Sequence, residues 1–325
     1  MVLETNQIFE DKNIRPKSLD DFVGQTDLKE MLNIYIKSAL MRNESLDHVL
    51  FYGPPGLGKT TLASIIAYEL GVNFHSISAP SIDRVGDLVS ILSTLEPGDI
   101  LFIDEIHRLT KSLEEVLYSA MEDYSIDIII GKDSTATKLK IDLPPFTLIG
   151  ATTRCGDISS PLRDRFGIVH QLNYYNEQDL NMIVQRTSKI LAFSIDNDAS
   201  LEIAKRSRGT PRISNRIFRR VRDFVQFIKE ENKIDLETVI QSLKKLNIDE
   251  YGLTELDHKY LNSIVYNFSG GPVGLNALAS TIFEETNTIE DVCEPYLLKE
   301  GFIIRTARGR LATEKTFKHL GIEKL

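Results

Sequence analysis

The sequence predicts an α/β protein in three parts: a large domain on a parallel sheet, a small all-helical domain, and a C-terminal domain of three helices closed by a β-hairpin. Three observations predict this. From residue 49 to about 170, short apolar runs alternate with helical periods, the pattern that a parallel sheet with helices on both faces requires. After Asn173-Tyr174-Tyr175-Asn176 the strand signal disappears, and residues 177–246 read as a run of helices with Ser, Asn or Asp at several starts. From about 254 to 325 there are helices near 256–269 and 275–284, and a third opened by Thr288-Ile289-Glu290-Asp291 as a capping box. Two short strands follow, Phe302–Arg305 and Arg310–Thr313, joined through Ala307-Arg308-Gly309, which completes a pattern of winged-helix type. The domains are accordingly drawn at 1–175, 176–248 and 249–325.

In the first domain, Val49–Tyr52 reads as a buried strand and Thr61–Leu70 as a helix stopped by Gly71. Between them, Gly53-Pro54-Pro55-Gly56-Leu57-Gly58-Lys59-Thr60 fits the phosphate-loop pattern GxxxxGK[ST]. Glycines let backbone N–H groups converge on phosphate oxygens, Lys59 adds a mobile positive charge for the β and γ phosphates, and the Thr60 hydroxyl is placed for Mg²⁺. The loop feeds a helix N-terminus, where anions are favoured. Further strands are expected near 73–78, 100–104 and 146–151. One segment breaks the rhythm: Ile126–Ile130, then Gly131–Thr137, then Lys138–Asp142 read as an antiparallel hairpin inserted before the last strand. It is either a projecting element with a purpose or an elaborated loop.

The strand Ile100-Leu101-Phe102-Ile103 ends in Asp104-Glu105, the second half of a triphosphatase site. Asp104 can hold Mg²⁺, directly or through water, while Glu105 can polarise the water that attacks the γ-phosphorus. Displacement at phosphorus concentrates charge on oxygen and calls for further cations. Arg163 and Arg165 in Ser160-Pro161-Leu162-Arg163-Asp164-Arg165 are candidates, competing with a surface ion pair to Asp164. Thr152 and Thr153 either position the water or end a strand.

Composition limits the function classes. With 325 residues, 42% of them hydrophobic, the chain can fill several cores. No apolar run approaches the roughly 18 residues that span a bilayer, and Met1–Arg15 is polar and acidic, so no membrane association and a cytoplasmic location are expected. Cys155 and Cys293 have no spacing for a zinc module, which leaves two reduced structural thiols. A net charge of −9 confines any nucleic-acid contact to a patch. Two patches qualify: Arg216, Arg219, Arg220 and Arg222 in one helix, and Arg305, Arg308 and Arg310 near the C-terminus. The first set is spread around its helix, which suits a solvated or subunit-contacting face.

GPPGLGKT, LFIDE, GATTR, SPLRDRFG and Arg208-Gly209-Thr210-Pro211-Arg212, in this order, resemble an AAA+ ATPase. Ile14-Arg15-Pro16, Phe22-Val23-Gly24-Gln25, Gly270-Gly271-Pro272-Val273-Gly274-Leu275 and Arg305-Thr306-Ala307-Arg308-Gly309-Arg310 narrow the resemblance to the RuvB family, the motors of Holliday-junction branch migration, over residues 12 to 321. The resemblance implies a homo-hexameric ring pumping duplex DNA at Holliday junctions, with ATP and Mg²⁺ as cofactors, RuvA as partner and RuvC resolvase where present. It implies that Ile14 and Arg15 contact the nucleotide, that Gly56, Leu57, Gly58, Lys59, Thr60 and Thr61 hold its phosphates, and that Glu122, Asp123 and Tyr124 lie close by. Arg165 is then an arginine finger directed at a neighbouring subunit, Arg212 a sensor in the helical lid, and Tyr175 part of the same pocket. Thr60 and Asp104 are the metal ligands, and Lys59, Asp104, Glu105, Thr152 and Arg165 the catalytic set. The hairpin at about 126–142 corresponds to the RuvA-docking element, and Arg305, Arg308 and Arg310 to DNA-backbone contacts. Two departures from the family pattern stand out: the hairpin tip Lys132–Thr137 is polar, and Ala307 replaces the usual proline between the wing arginines. Two rival classes are another AAA+ machine, such as a clamp loader or protein remodeller, and a winged-helix regulator that uses ATP as a switch. Intact Glu105 and Arg165 argue against the second.

Overall fold

Apolar four- to six-residue runs separated by helical segments can bury both faces only in a helix-covered parallel sheet, and the first unit is built that way. The computed structural model describes residues 14–130, 137–228 and 232–322, so the polar hairpin tip, apart from Thr137, lies outside the described residues. The chain divides into two compact units, one ending at Asp179 and one beginning at Leu180.

In the first unit, helix α1 (Thr26–Arg42) leads to β1 (Val49–Tyr52), α2 (Lys59–Leu70), β2 (Phe74–Ser78), α3 (Val85–Leu92), β3 (Ile100–Asp104), α4 (Lys111–Glu122), the hairpin β4 (Ser125–Ile130) and β5 (Thr137–Asp142), then β6 (Thr147–Thr152), the turn α5 (Ser160–Arg163) and β7 (Ile168–Gln171). The sheet order is β2-β3-β6-β1-β7, with every neighbour parallel. β6 is buried along its whole length, as a central strand must be. Gly71 ends α2 with φ +71°, a backbone conformation that glycine adopts without penalty.

β7 escaped the sequence reading. It is an edge strand of four residues in which only Ile168 is buried, so its sequence carries neither a continuous apolar run nor a clean alternation. The hairpin β4–β5 pairs Ser125 with Asp142 through to Ile130 with Thr137 as an antiparallel ladder apart from the main sheet. Its base is closed by the Leu143 amide donating to Tyr124 O at 2.7 Å, and Ile126 is buried in the core. Nearby, His48 joins β6 to α4: its Nδ1 accepts from the Leu148 amide at 2.8 Å and its Nε2 contacts Met121 O at 3.1 Å. Those two bonds select the neutral Nε2–H tautomer, and burial holds the pKa of His48 below its ordinary value.

The second unit contains α6 (Glu177–Ile190, entering from the first unit), α7 (Asn197–Lys205), α8 (Pro211–Ile228) and α9 (Leu236–Lys245), then α10 (Glu255–Asn262), α11 (Leu275–Ile282), α12 (Glu294–Lys299), the hairpin β10 (Ile303–Thr306) and β11 (Gly309–Ala312), and α13 (Glu314–His319). Two-residue strands β8 (Ser194–Ile195) and β9 (Lys233–Ile234) pair in parallel inside the helical part, too short to register in sequence. The capping box at Thr288 is not made. The helical turn starts at Thr286, and Thr288, already helical, forms no side-chain cap. Separate apolar cores fill the helical part (Val184, Phe218, Val221, Val239) and the hairpin-closed part (Tyr260, Ile264, Leu297, Phe302).

Candidate nucleotide site and nucleic-acid wing

In a parallel sheet the carboxyl ends of all strands open on one edge, which is where ligands collect. That edge gathers the loop after β1, Asp104 at the end of β3 and Thr152 at the end of β6. Register fixes their order: Tyr52 lies beside Thr152, and Ile103 beside Gly150. Gly53 starts the loop with φ +135°, and a Cβ there would stand 2.6 Å from Leu172 O, so only glycine passes between the ends of β1 and β7. Gly58, at φ +104°, is the residue before α2 and gives it no side-chain cap. The first amides of α2 therefore face the loop, the arrangement that binds anions. Lys59 is buried, its Nζ donating to Gly53 O at 2.7 Å and Pro54 O at 2.9 Å, which seats the ammonium under the loop.

Asp104 and Glu105 are half-buried at the strand end. Glu105 adopts φ +51°, a left-handed conformation costly for a residue with a Cβ and found where a side chain must be aimed. The Asp104 carboxylate stabilises the turn by accepting from the Glu105 amide at 3.0 Å. The Glu105 carboxylate meets Arg108 at 3.1 Å across the surface. Thr152 is buried, accepts from the Arg154 amide at 2.9 Å, and lies 2.9 Å from His107 Nδ1. Burial depresses the pKa of His107, which suits a neutral imidazole accepting the Thr152 hydroxyl. His107 was not singled out in the sequence; its position three residues beyond Asp104 is the only cue, and a weak one.

The segment before α1 is fastened to the same edge. Gln25 donates from Nε2 to Asn173 O at 2.6 Å and accepts from the Asn173 amide at 3.2 Å. The Tyr175 hydroxyl donates to Leu57 O at 3.1 Å, and burial raises its pKa. A Cβ at Gly24 would come within 2.6 Å of the Tyr175 ring, which accounts for the glycine. Phe22 packs beside Gly58, while Ile14 is buried and Arg15 exposed. Gly56, Leu57, Thr60 and Thr61 complete the loop, with Leu57 fully buried.

Arg165 takes a different place. It does not pair with Asp164: its guanidinium donates to Glu122 Oε2 at 2.9 Å and Pro161 O at 2.6 Å and lies over the Tyr118 ring. Glu122 is thereby brought to Arg165, with Asp123 exposed beside it, while Tyr124 packs edge-on against Phe146 and tilted beside His48. Arg163 is exposed. Arg212 is exposed in the first turn of α8, in the second unit.

In the hairpin-closed part the wing arginines are not equivalent. Arg310 is only 15% exposed and is forked onto Glu294 (2.9 Å) and Glu290 (3.2 Å); Arg305, 45% exposed, also grips Glu294. Glu294 is fully buried and accepts as well from the Tyr260 hydroxyl at 2.8 Å. Arg308, at the turn, is exposed.

Three family descriptions match in succession: "Holliday junction DNA helicase RuvB P-loop domain" over residues 14–172, "RuvB AAA lid domain" over 175–249 and "RuvB C-terminal winged helix domain" over 250–321. The chain belongs to the RuvB family. It is 56% identical over 315 residues to the Holliday junction branch migration complex subunit RuvB of Phytoplasma mali, covering 97% of this chain and 95% of the relative. To the protein of the same name from Acholeplasma laidlawii it is 59% identical over 310 residues, covering 95% and 92%. The structure of the Thermotoga maritima RuvB Holliday junction branch migration motor superposes with a TM-score of 0.87 at 50% identity, covering 96% of this chain and 99% of that one. Membership in this P-loop family makes the chain a nucleotide-binding protein. No helix among the described residues is long and apolar enough to cross a membrane.

Within this RuvB-family chain, the joint between lid and winged helix was the largest feature the sequence reading missed. Arg208, opening the RGTPR motif, is buried; it pairs with buried Asp257 and donates to Gly252 O at 2.7 Å. Cys293, one of the two free thiols, donates to the same Asp257 at 3.3 Å, and burial raises its pKa. Beside it, Asp249 Oδ2 lies 3.0 Å from both His258 Nε2 and His319 Nε2. The hydrogen bond that His258 donates to Asp249 is the main cause that lifts His258 above its ordinary value. Burial alone would raise Asp249, but His258, the Leu253 amide and the neighbouring imidazolium charges hold it below 3.8. A raised histidine contributes stability below its unfolded pKa and loses it as pH rises through the folded value; a depressed aspartate contributes above its unfolded pKa and loses it as pH falls through the folded value. Hydrogen-exchange protection factors in α10 and α13, which remove the intrinsic pH dependence of amide exchange, are therefore expected to be largest between these limits and to fall as pH rises through the raised His258 pKa. His258→Gln is expected to flatten that pH dependence.

Proposed function

We propose that this chain is an ATP-driven motor that assembles as a homo-hexameric ring and pumps duplex DNA to drive branch migration of Holliday junctions, with RuvA as its partner. The observation that carries the reading is the sheet edge on which an uncapped helix N-terminus with Lys59 stands two strands from a carboxylate, Glu105, aimed by a left-handed backbone. The name carried by the Phytoplasma mali and Acholeplasma laidlawii relatives, Holliday junction branch migration complex subunit RuvB, supports the same reading.

In this reading, the amides of Gly56 to Thr61 and the Lys59 ammonium bind the β and γ phosphates. Glu105 accepts a proton from water as its oxygen attacks the γ-phosphorus and the bond to the β-phosphate oxygen breaks. Thr152, held by His107, orients that water. The Thr60 hydroxyl and Asp104 carboxylate are hard oxygen donors that fit Mg²⁺, which when bound neutralises charge on the β and γ oxygens. Arg165 reaches the γ-phosphate of a neighbouring copy, Arg212 senses the nucleotide of its own chain, and Ile14, Arg15 and Tyr175 line the nucleoside side. Glu122, Asp123 and Tyr124 lie by the site on the Arg165 side. Hairpin β4–β5 docks RuvA, RuvC resolvase joins where present, and the setting is cytoplasmic.

The purified protein, a synthetic four-way junction, RuvA and ATP should together give branch-migrated strand products, absent with Glu105→Gln. ATP hydrolysis at the normal rate with no junction processing would sink the motor reading. On DNA, the exposed Arg308 is read as the outer phosphate contact, with Arg305 beside it and Arg310 behind. Arg308→Ala is expected to weaken duplex binding several-fold and to lower the log–log salt slope by about one, uniformly across sequences. Its thermal midpoint should stay at the wild-type value.

A further inference from the structure

We infer that Tyr118 is the positioning residue for Arg165, holding the guanidinium on a fixed platform from which it reaches a neighbouring copy's nucleotide; this rests on the reading of Arg165 as that neighbour-directed arginine. The platform follows from spacing. Glu114, Tyr118 and Glu122 stand at i, i+4 and i+8 on α4 and so form a single stripe of the helix. Glu114 anchors, Tyr118 stacks and Glu122 pairs.

The guanidinium carbon of Arg165 lies 4.5 Å from the centroid of the Tyr118 ring, within the range where a cation is attracted to a ring face. The ring is fixed at its far end. The Tyr118 hydroxyl, Ser159 Oγ and Glu114 Oε2 close a triangle with sides of 3.0, 3.0 and 2.6 Å, and Glu114 is buried. Ser159 does double service: its Oγ also accepts from the Leu162 amide at 3.4 Å, capping the turn α5 just before Arg165. The group that fixes the ring thus also fixes the backbone carrying the arginine.

A guanidinium has five N–H donors in a rigid plane. One goes to Pro161 O at 2.6 Å, orienting that plane, and Nε is buried without a partner. The remaining polar partner is Glu122, 56% exposed, whereas the arginine side chain is 21% exposed. Exposed ion pairs of this kind are weak, and a phosphate oxygen carries more charge than one carboxylate oxygen. A γ-phosphate can therefore displace Glu122 while the ring and the Pro161 bond keep the guanidinium in place. In this description Glu122 occupies the position of the phosphate to come.

Tyr118→Leu keeps apolar bulk but removes the ring face and the hydroxyl; it is expected to lower kcat about 10- to 100-fold, the effect of misplacing a reacting group, with KM for ATP within about twofold. Tyr118→Phe keeps the face and should restore most of the rate. Trans action is read by co-assembly. Tyr118→Leu subunits mixed with Lys59→Ala subunits should hydrolyse ATP faster than either alone, because intact loops then meet intact platforms across interfaces. Arg165→Ala mixed with Lys59→Ala is the parallel arm. Recovery with Arg165→Ala but not with Tyr118→Leu overturns the platform and leaves the finger reading standing; no recovery in either overturns both. A wild-type kcat for Tyr118→Leu also overturns the platform.

Discussion

Glu105→Gln is expected to lower ATP turnover by about 10²–10⁴-fold, the range contributed by a positioned general base, while ATP still binds within a few-fold of wild type. Glutamine keeps the size of the side chain and loses only the ability to take a proton. Its amide can still meet solvent where the carboxylate now meets Arg108 at 3.1 Å, an exposed contact worth little to stability. The left-handed backbone at residue 105 is unchanged by the substitution, so the fold should be retained. Steady-state phosphate release together with equilibrium binding of a fluorescent ATP analogue checks both halves. Turnover within about fivefold of wild type would remove Glu105 from the base role.

Arg310→Ala is expected to destabilise the winged-helix part by about 3 kcal/mol, the lower end of what breaking a buried ion pair costs. The reason is Glu294, fully buried and held on one side by Arg310. Arg305 and Tyr260 still reach it, which keeps the loss from being larger. Desolvation of an underpaired carboxylate decides the sign here; loss of a contact to a solvent-exposed acid would be within error. Hydrogen exchange in β10, β11 and α12 should accelerate, with no matching change in α2 or β3. The substitution would also weaken DNA binding, and the exchange data separate that indirect route from the direct one tested by Arg308→Ala. Unchanged exchange around Glu294 would mean that Arg305 alone compensates the charge.

Much of this protein was legible in the sequence, for reasons that differ by element. β6 is buried throughout, and β1 and β3 are buried except at their last residues, so their apolar runs are long enough to stand out. The phosphate loop was legible because its chemistry depends on backbone: Gly53 and Gly58 adopt φ values of +135° and +104°, which few other residues tolerate. The acidic pair was legible as the end of a buried strand. β7 was not, since an edge strand needs only one buried side chain in four. His107 was not, since a histidine one turn past a carboxylate acquires its meaning from Thr152, a residue distant in sequence.

The sequence by itself determined the α/β class, the order of the three parts, and the local machinery at Gly53–Thr60 and Asp104-Glu105, because glycine conformations and apolar periodicity are properties of short segments. Tertiary structure alone decided what the arginines do. Arg208, Arg305, Arg308 and Arg310 carry the same charge in the sequence, yet Arg208 is buried against Asp257, Arg310 is spent on Glu294 and Arg308 stands in solvent. Arg165 lies not on Asp164 beside it but on Tyr118 and Glu122, more than 40 residues away. A guanidinium is always charged, so its role is set by which acids and rings the fold brings within a few ångströms, and that is fixed only when distant segments pack.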